Sequence, residues 1–355
     1  MRGVSRKRAL LLLSIVIGVA GAVAPAIAAS AQESGSVAIR LLEGPSSRAD
    51  DPRASQYIVD HVEPGTRITR RFELSNRTDG PTELQLYDAA ATVDDGSFQF
   101  ADGRGENELT GWTTVSPPTL SLPAGAKGTG TVTIDVPAGV SGGERYAVVW
   151  AELPGAPSPS GITVVNRVGI RIYLSVGGAS EPPTSFRLDS FVPTRDESGQ
   201  PGVTVTACND GGRAVDLEAS LELTEGPGGT SAGPFTSDGA TTLAPGDCGD
   251  VPVLAPADLP RGPWRARATL RSGLTEKSAE ARITFPAAPA GGGAVSGAPV
   301  EAEDVTDSTG GRLLILLALL LLLLVLAFLA WLLYRRRKQK REEEAAEAES
   351  LEPVG

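Results

Sequence analysis

An uninterrupted apolar run at residues 313–334, LLILLALLLLLLVLAFLAWLLY, constrains this chain more than any other stretch. Twenty-two residues without a charge, wound at about 1.5 Å per residue, reach roughly 33 Å, enough to cross the hydrocarbon core of a bilayer. A buried helix of a globular domain would be shorter and would keep a polar face. Arg335, Arg336, Arg337, Lys338, Lys340 and Arg341 follow at once, and such a cationic flank holds its end of a spanning helix in the cytoplasm. The expectation is a single-pass cell-membrane protein with everything before the run outside the cell and residues 335–355 as a short cytoplasmic tail.

The start of the chain agrees with that topology. Arg2, Arg6, Lys7 and Arg8 precede an apolar stretch and then Ala29-Ser30-Ala31, the layout of a secretory signal peptide over residues 1–31. No cysteine lies near that site to take a lipid. The whole chain has a formal net charge of −11, and residues 32–312 hold 22 of its 32 Lys/Arg but 37 of its 43 Asp/Glu, so the exported part carries a net −15. Charge-driven capture of nucleic acid needs the opposite balance.

The exported part divides into residues 36–178 and 184–286, each long enough for one core, joined by a Gly- and Pro-rich linker at 177–183. Both read as strand after strand. Val132, Ile134 and Val136 alternate with polar residues, as do Ile170, Ile172, Leu174 and Val176, and Val215, Leu217, Ala219, Leu221 and Leu223. In the row Ile68, Phe72, Leu74, the charged Arg70 interrupts. Residues 146–153 are apolar on both faces, the mark of a central strand covered twice. The expected fold is an all-β ectodomain of two tandem Ig-like β-sandwich modules followed by one transmembrane α-helix. Residues 287–311, rich in Gly, Ala and Pro, lack the apolar bulk for a core and read as a flexible tether.

Cys208 and Cys248 are the chain's two cysteines. Outside the cytoplasm such a pair reads as a disulfide, here between neighbouring antiparallel strands of one sheet. A metal or redox site would need closer spacing or further ligands. No cofactor is implied, since no glycine-rich loop opens a helix. His61 is the one histidine, which removes Ser-His-Asp, Cys-His and multi-histidine metal sites together. Asp94-Asp95 followed by Gly96 reads as a hairpin turn before it reads as an acid/base pair. Asn76-Arg77-Thr78 fits a glycosylation triplet but sits in a turn-forming context. Tyr87, Trp112, Tyr146 and Trp150 are the aromatic residues from which a sugar-stacking surface would be drawn. Trp150 falls in the doubly apolar run and reads as buried. Trp112, in the irregular stretch 103–118, and Tyr146 are taken as the ligand-contact residues.

The first module resembles the N-terminal peptidoglycan-binding domain of the WxL-interacting proteins of Gram-positive bacteria. The resemblance rests on Tyr57-Ile58-Val59-Asp60, then Val62-Glu63-Pro64-Gly65 and a strand ending at Asn76, on DAAATVDDGSFQF at 88–100, on PAGVSGG at 137–143, and on the strand pair within 161–176. It covers most of the first module. It implies a non-enzymatic envelope protein whose first module binds cell-wall peptidoglycan and whose second faces a surface or secreted protein partner. The second module departs from the family in carrying a disulfide. A spacer or adhesion scaffold without wall affinity is the alternative function, and a wall hydrolase a more distant one.

Overall fold

The structure is a computed structural model that describes residues 36–155, 165–288 and 292–305, together with Leu321, Val325, Phe328, Trp331 and Arg335. The expected signal peptide, the cytoplasmic tail beyond Arg335 and most of the 313–334 run lie outside the described residues. Among those described, no helix is long and apolar enough to cross a membrane.

The first module contains β1 (Val37–Leu41), the short helix α1 (Pro52–Gln56), β2 (Ile58–Val62), β3 (Arg67–Asn76), β4 (Thr82–Asp94), β5 (Ser97–Phe100), β6 (Thr113–Ser116), β7 (Thr119–Leu122), β8 (Lys127–Asp135), β9 (Gly143–Leu153) and β10 (Asn166–Val176). One sheet has the order β1-β3-β8-β6 and the other β2-β10-β9-β4-β5, with β7 added to β4. All pairings are antiparallel except β2 with β10. The alternating residues named above meet between the sheets, where Phe72, Leu74, Val132, Ile134, Ile172 and Leu174 share one core. Arg70, the charge that breaks its row, donates from Nε at 3.1 Å and from Nη2 to the buried Asp60 carboxylate of β2. It is a salt bridge between the two sheets at the edge of the core.

The second module contains β11 (Arg187–Arg195), β12 (Pro201–Cys208), β13 (Val215–Thr224), β14 (Ala232–Thr236), β15 (Thr241–Leu243), β16 (Cys248–Leu254), β17 (Trp264–Ser272) and β18 (Thr275–Ile283). Its sheets run β16-β12-β11 and β14-β13-β17-β18, closed over a core that includes Phe191, Val205, Leu221, Trp264 and Phe285. Cys208 and Cys248 are the last register pair of β12 and β16 and are joined by a disulfide within that sheet. The alternation of β11 is broken by a register shift between Leu188 and Ser190, which hides this strand from a period-2 reading.

The two modules share a corner. At the end of β3, buried Asn76 donates from Nδ2 to the carbonyls of Gly80, Leu122 and Pro123 at 2.8–3.1 Å, while its Oδ1 accepts from Thr78. At the end of β12, buried Asn209 donates to the carbonyls of Arg213 and Leu243 at 2.8 and 2.9 Å, and its Oδ1 accepts from Gly211. Each asparagine ties its strand end to a Pro- and Gly-containing turn, at Leu122-Pro123-Ala124-Gly125 and at Leu243-Ala244-Pro245-Gly246. With the Asn76 amide occupied in this way, the turn reading of the glycosylation triplet holds.

The tether expected at 287–311 needs correction. Within it, β19 (Val295–Ser296) and β20 (Val300–Glu301) pair with β11, and β21 (Glu303–Asp304) pairs with β18 in the opposite sheet. Further backbone bonds run from Gly297 N to Pro193 O at 2.7 Å and from Ala302 N to Asp189 O at 3.0 Å. Val300 and Ala302 pack on the core. A segment too poor in apolar residues to fold alone is ordered by the open edge of β11, whose unpaired backbone groups need partners. The result is a strap fastening both sheets of the second module. Val300→Asp, which places an unpaired carboxylate against that core, is expected to release the strap; limited proteolysis should then cut within 292–305 at least about tenfold faster than in wild type, the strap opening by a few kcal/mol.

Candidate functional site

Along β4, β9 and β10, side chains alternate between the core and the opposite, outward face of the sheet. The outward set holds Tyr87, Ala89 and Ala91 from β4, Glu144, Tyr146, Val148 and Trp150 from β9, and Arg171 and Tyr173 from β10. Phe98 and Phe100 from β5 and Tyr57 beside β2 extend it. This explains the doubly apolar run in β9: one face joins the core and the other forms an aromatic layer, which the structure divides into two halves.

One half is covered by the second module. Tyr173, Phe98 and Tyr146 pack ring against ring with centroids 5.0–6.0 Å apart, and Ala214 closes over them. Around this apolar patch lies a ring of buried polar contacts. Arg53, carried in by α1, donates from Nη1 to Ala214 O at 3.0 Å, has Nε 2.8 Å from Asp216 Oδ2 as an ion pair, and lies with its guanidinium 4.8 Å from the Tyr173 ring centre. Asp216 Oδ1 also accepts from the Tyr173 hydroxyl at 2.9 Å and from Thr242 Oγ1 at 2.7 Å. Glu144 Oε2 accepts from Ala214 N at 2.6 Å and from the Tyr146 hydroxyl at 2.8 Å. The linker is drawn into the same network, because Glu181 pairs with Arg48 at 2.7 Å and with fully buried Arg213 at 2.6 Å. The linker expected at 177–183 is thus held by ion pairs at Glu181 as part of the junction.

Burial pushes the Glu144 carboxyl up from its ordinary value, outweighing the hydrogen bonds from Ala214 and Tyr146 and the nearby Arg53. Burial and then the Glu144 charge raise the Tyr146 phenol, and burial and then Asp216 raise that of Tyr173, so both stay protonated donors. A carboxyl whose folded pKa is raised adds stability that is full below its unfolded pKa and is lost as pH rises through the folded one. On this group's account the junction weakens as pH rises above 4.5. Glu144→Gln keeps an acceptor without the charge, and thermal melting across that range should show a flatter pH dependence and a higher Tm at neutral pH.

Among the described residues, the second module does not reach the other half of the aromatic layer. Tyr87, Ala89, Val148 and Trp150 form a separate apolar cluster. Gly169, directly opposite Trp150 in the ladder, leaves room for the indole: a Cβ there would meet Trp150 Cε3 at 2.6 Å. Phe100, 39% exposed, stands edge-on to Trp150 with centroids 4.8 Å apart. Guanidinium groups form the roof, Arg167 lying 4.3 Å from the Trp150 ring centre and Arg104 4.1 Å from that of Tyr87.

The two residues taken as ligand contacts sit elsewhere. Tyr146 is part of the junction, where its ring and hydroxyl are both occupied, and it is not available to a ligand. Trp112 is half-buried, packed against the first core with the Arg145 guanidinium 5.0 Å over its ring. The outward aromatic set of Tyr87, Trp150 and Phe100 was legible as a period-2 pattern facing away from the core, but the same pattern also fits a module interface.

No family model matches this chain, and no curated protein matches it. Solved structures similar to it include the class 5 fimbriae chaperone CfaA, at 13% identity and a TM-score of 0.34 over 70% of this chain and 100% of that one. A Salmonella enterica SafA pilin–SafB chaperone complex is similar at 13% identity and a TM-score of 0.37, covering 76% of this chain and 97% of that one. The E. coli chaperone DraB is similar at 12% identity and a TM-score of 0.36, over 70% and 100% of the respective chains. Likeness at this level transfers no activity, so function is argued from the chain's own residues.

Those residues give the remaining sequence candidates structural work. His61 Nε2 lies 2.7 Å from Gly178 O and Nδ1 3.1 Å from Ser175 Oγ. Asp95 and Gly96 take φ values of 48° and 68°, as the expected hairpin turn requires, and Gly96 O accepts from Thr242 N at 2.9 Å across the junction. Beside that tip lies an open cleft of about 740 Å³ rimmed by Asp94, Asp95, Asp238, Asp247 and Asp250, a field that repels anions. Asp189 approaches the disulfide sulfurs, but oxidised cysteines supply no thiolate to a metal.

Proposed function

We infer that this chain is a non-enzymatic, membrane-anchored envelope protein, related to the WxL-interacting proteins, whose first Ig-like module binds cell-wall peptidoglycan while the second presents a surface to a secreted or surface protein. The observation that carries the reading is the divided aromatic layer. Aromatic rings left outside the junction, Phe100 open to solvent and Tyr87 and Trp150 beneath arginines, supply the kind of surface that covers the apolar face of a sugar ring once the arginines move aside.

Membrane anchoring is supported by the described residues of the apolar run. Leu321, Val325, Phe328 and Trp331 are helical, fall at three- and four-residue spacing on one face, and are 47–64% exposed. Apolar side chains in that state suit lipid as their solvent. Phe328 stacks on Trp331, and Arg335 lies 5.5 Å from the Trp331 ring centre, an arrangement suited to the inner membrane interface. Since the strap holds the chain as far as Val305, the second module is tethered close to the membrane.

The test is sedimentation of the full-length protein, in detergent micelles at physiological salt, with purified Gram-positive cell walls. The protein is expected in the pellet without release of soluble glycan fragments. Protein remaining in the supernatant would leave the spacer reading, which the fixed junction and the strap favour. Fragment release would instead restore the hydrolase reading.

A further inference from the structure

The half of the aromatic layer outside the junction combines features that a solvent-facing sheet surface does not need. Trp150 is 6% exposed although it points away from the core, and its indole N–H is buried with no acceptor among the described residues. A buried donor without a partner costs stability, so its retention calls for a reason. Among the described residues, its outward face carries the Arg167 guanidinium and Phe100 edge-on, both of which reach solvent. Arg104 is held by Gln85 Oε1 at 2.9 Å, and Arg171 reaches the Phe100 ring from the junction side, 6.0 Å from its centre. In an acidic chain, two guanidinium groups thus lie over the aromatic rings outside the junction, with the Glu152 carboxylate beside them accepting from the Tyr87 hydroxyl, while the cleft on the other side of the hairpin is rimmed by carboxylates.

We propose that this shelf of Trp150, Phe100, Arg104 and Arg167 binds a carboxylate-bearing glycan strand of the wall; the proposal rests on the wall-binding reading and gives it a site. A guanidinium stacked on an aromatic ring is pre-positioned and weakly hydrated, and its planar fork matches a carboxylate with two parallel hydrogen bonds. Arg167 is drawn from the indole face to the ligand carboxylate. The uncovered indole and Phe100 then take the apolar face of the sugar, and the Trp150 N–H gains a ligand oxygen as acceptor. Charge alone would suit a phosphate polymer equally well; the aromatic floor selects a ring-bearing ligand.

The experiment compares full-length wild type with Arg104→Ala/Arg167→Ala, with Phe100→Ala and with the distant control Arg77→Ala, on intact walls and on walls freed of phosphate-linked polymers. All the substituted residues are exposed, and matching melting curves establish that the variants fold. Wild type and the control should bind both wall preparations alike, with the double variant weaker by about tenfold or more and Phe100→Ala by about fivefold. Full binding by the folded double variant would overturn the shelf and leave wall binding standing. Loss of wild-type binding on the phosphate-free walls would overturn the carboxylate assignment. Failure of wild type to bind either preparation would overturn the wall reading and the shelf with it.

Discussion

Asp216→Ala should lower the unfolding free energy by about 3–5 kcal/mol, because it strands the Arg53 charge in a buried site. The side chains of this pair are 7% and 8% exposed. Without the carboxylate, Arg53 keeps the Ala214 carbonyl and the Tyr173 ring, while the Tyr173 and Thr242 hydroxyls each lose their acceptor. The cost therefore combines an uncompensated charge with unmade hydrogen bonds. Replacing both partners, as in Arg53→Met/Asp216→Leu, removes the buried Arg53 charge along with its counter-charge and should recover the part of the loss due to that charge. The Tyr173 and Thr242 hydroxyls and Arg171, 3.6 Å from the carboxylate, still lack it. Urea unfolding of the two single variants and the double variant measures this directly. Additive losses would mean that the pair is not coupled in the folded protein.

Cys208→Ala/Cys248→Ala is expected to cost about 4 kcal/mol in the chain-entropy account, since the bridge closes a loop with a sequence separation of 40. The bridge lies between paired strands of one sheet, so the ladder itself survives the substitution and the loss falls on the unfolded chain, which gains freedom. Cys248 is exposed, and a thiol reductant should reach the disulfide in the native protein. Denaturant midpoints with and without reductant should differ for wild type and coincide for the double variant. An equal reductant effect on both would place the sensitivity elsewhere.

The sandwich strands were legible wherever a period-2 pattern ran unbroken, as in β8, β10 and β13, and the disulfide followed from where its cysteines fall on neighbouring strands. β11 was not, because its bulge shifts Leu188 and Phe191 out of phase. The strap was hidden for another reason: pairings of two residues each leave no period, and its order is supplied by the β11 edge and not by its own composition. The junction was the least legible part. Arg53 lies in a five-residue helix, Asp216 occupies a polar position of an alternating strand, and Glu144 stands just ahead of the doubly apolar run that opens at Tyr146, a run that does not say what covers its outer face. Only the approach of the two modules turns these positions into one buried network, and that approach leaves no local signal. Tyr146 was misplaced on the same ground, because outward aromatic residues look alike whether a module or a ligand will cover them.

That division of the aromatic layer, half docked and half roofed by arginines, requires a junction that does not swing. The direct test is a spin-label distance distribution between Thr129→Cys in β8 and Lys277→Cys in β18, both exposed positions, in the full-length protein with its native disulfide intact. One narrow distribution is predicted, and it should broaden on adding Asp216→Ala. A broad distribution in the otherwise unaltered protein would contradict the account, because swinging modules would uncover the Phe98, Tyr146 and Tyr173 rings as well and leave the junction no more than a passing contact.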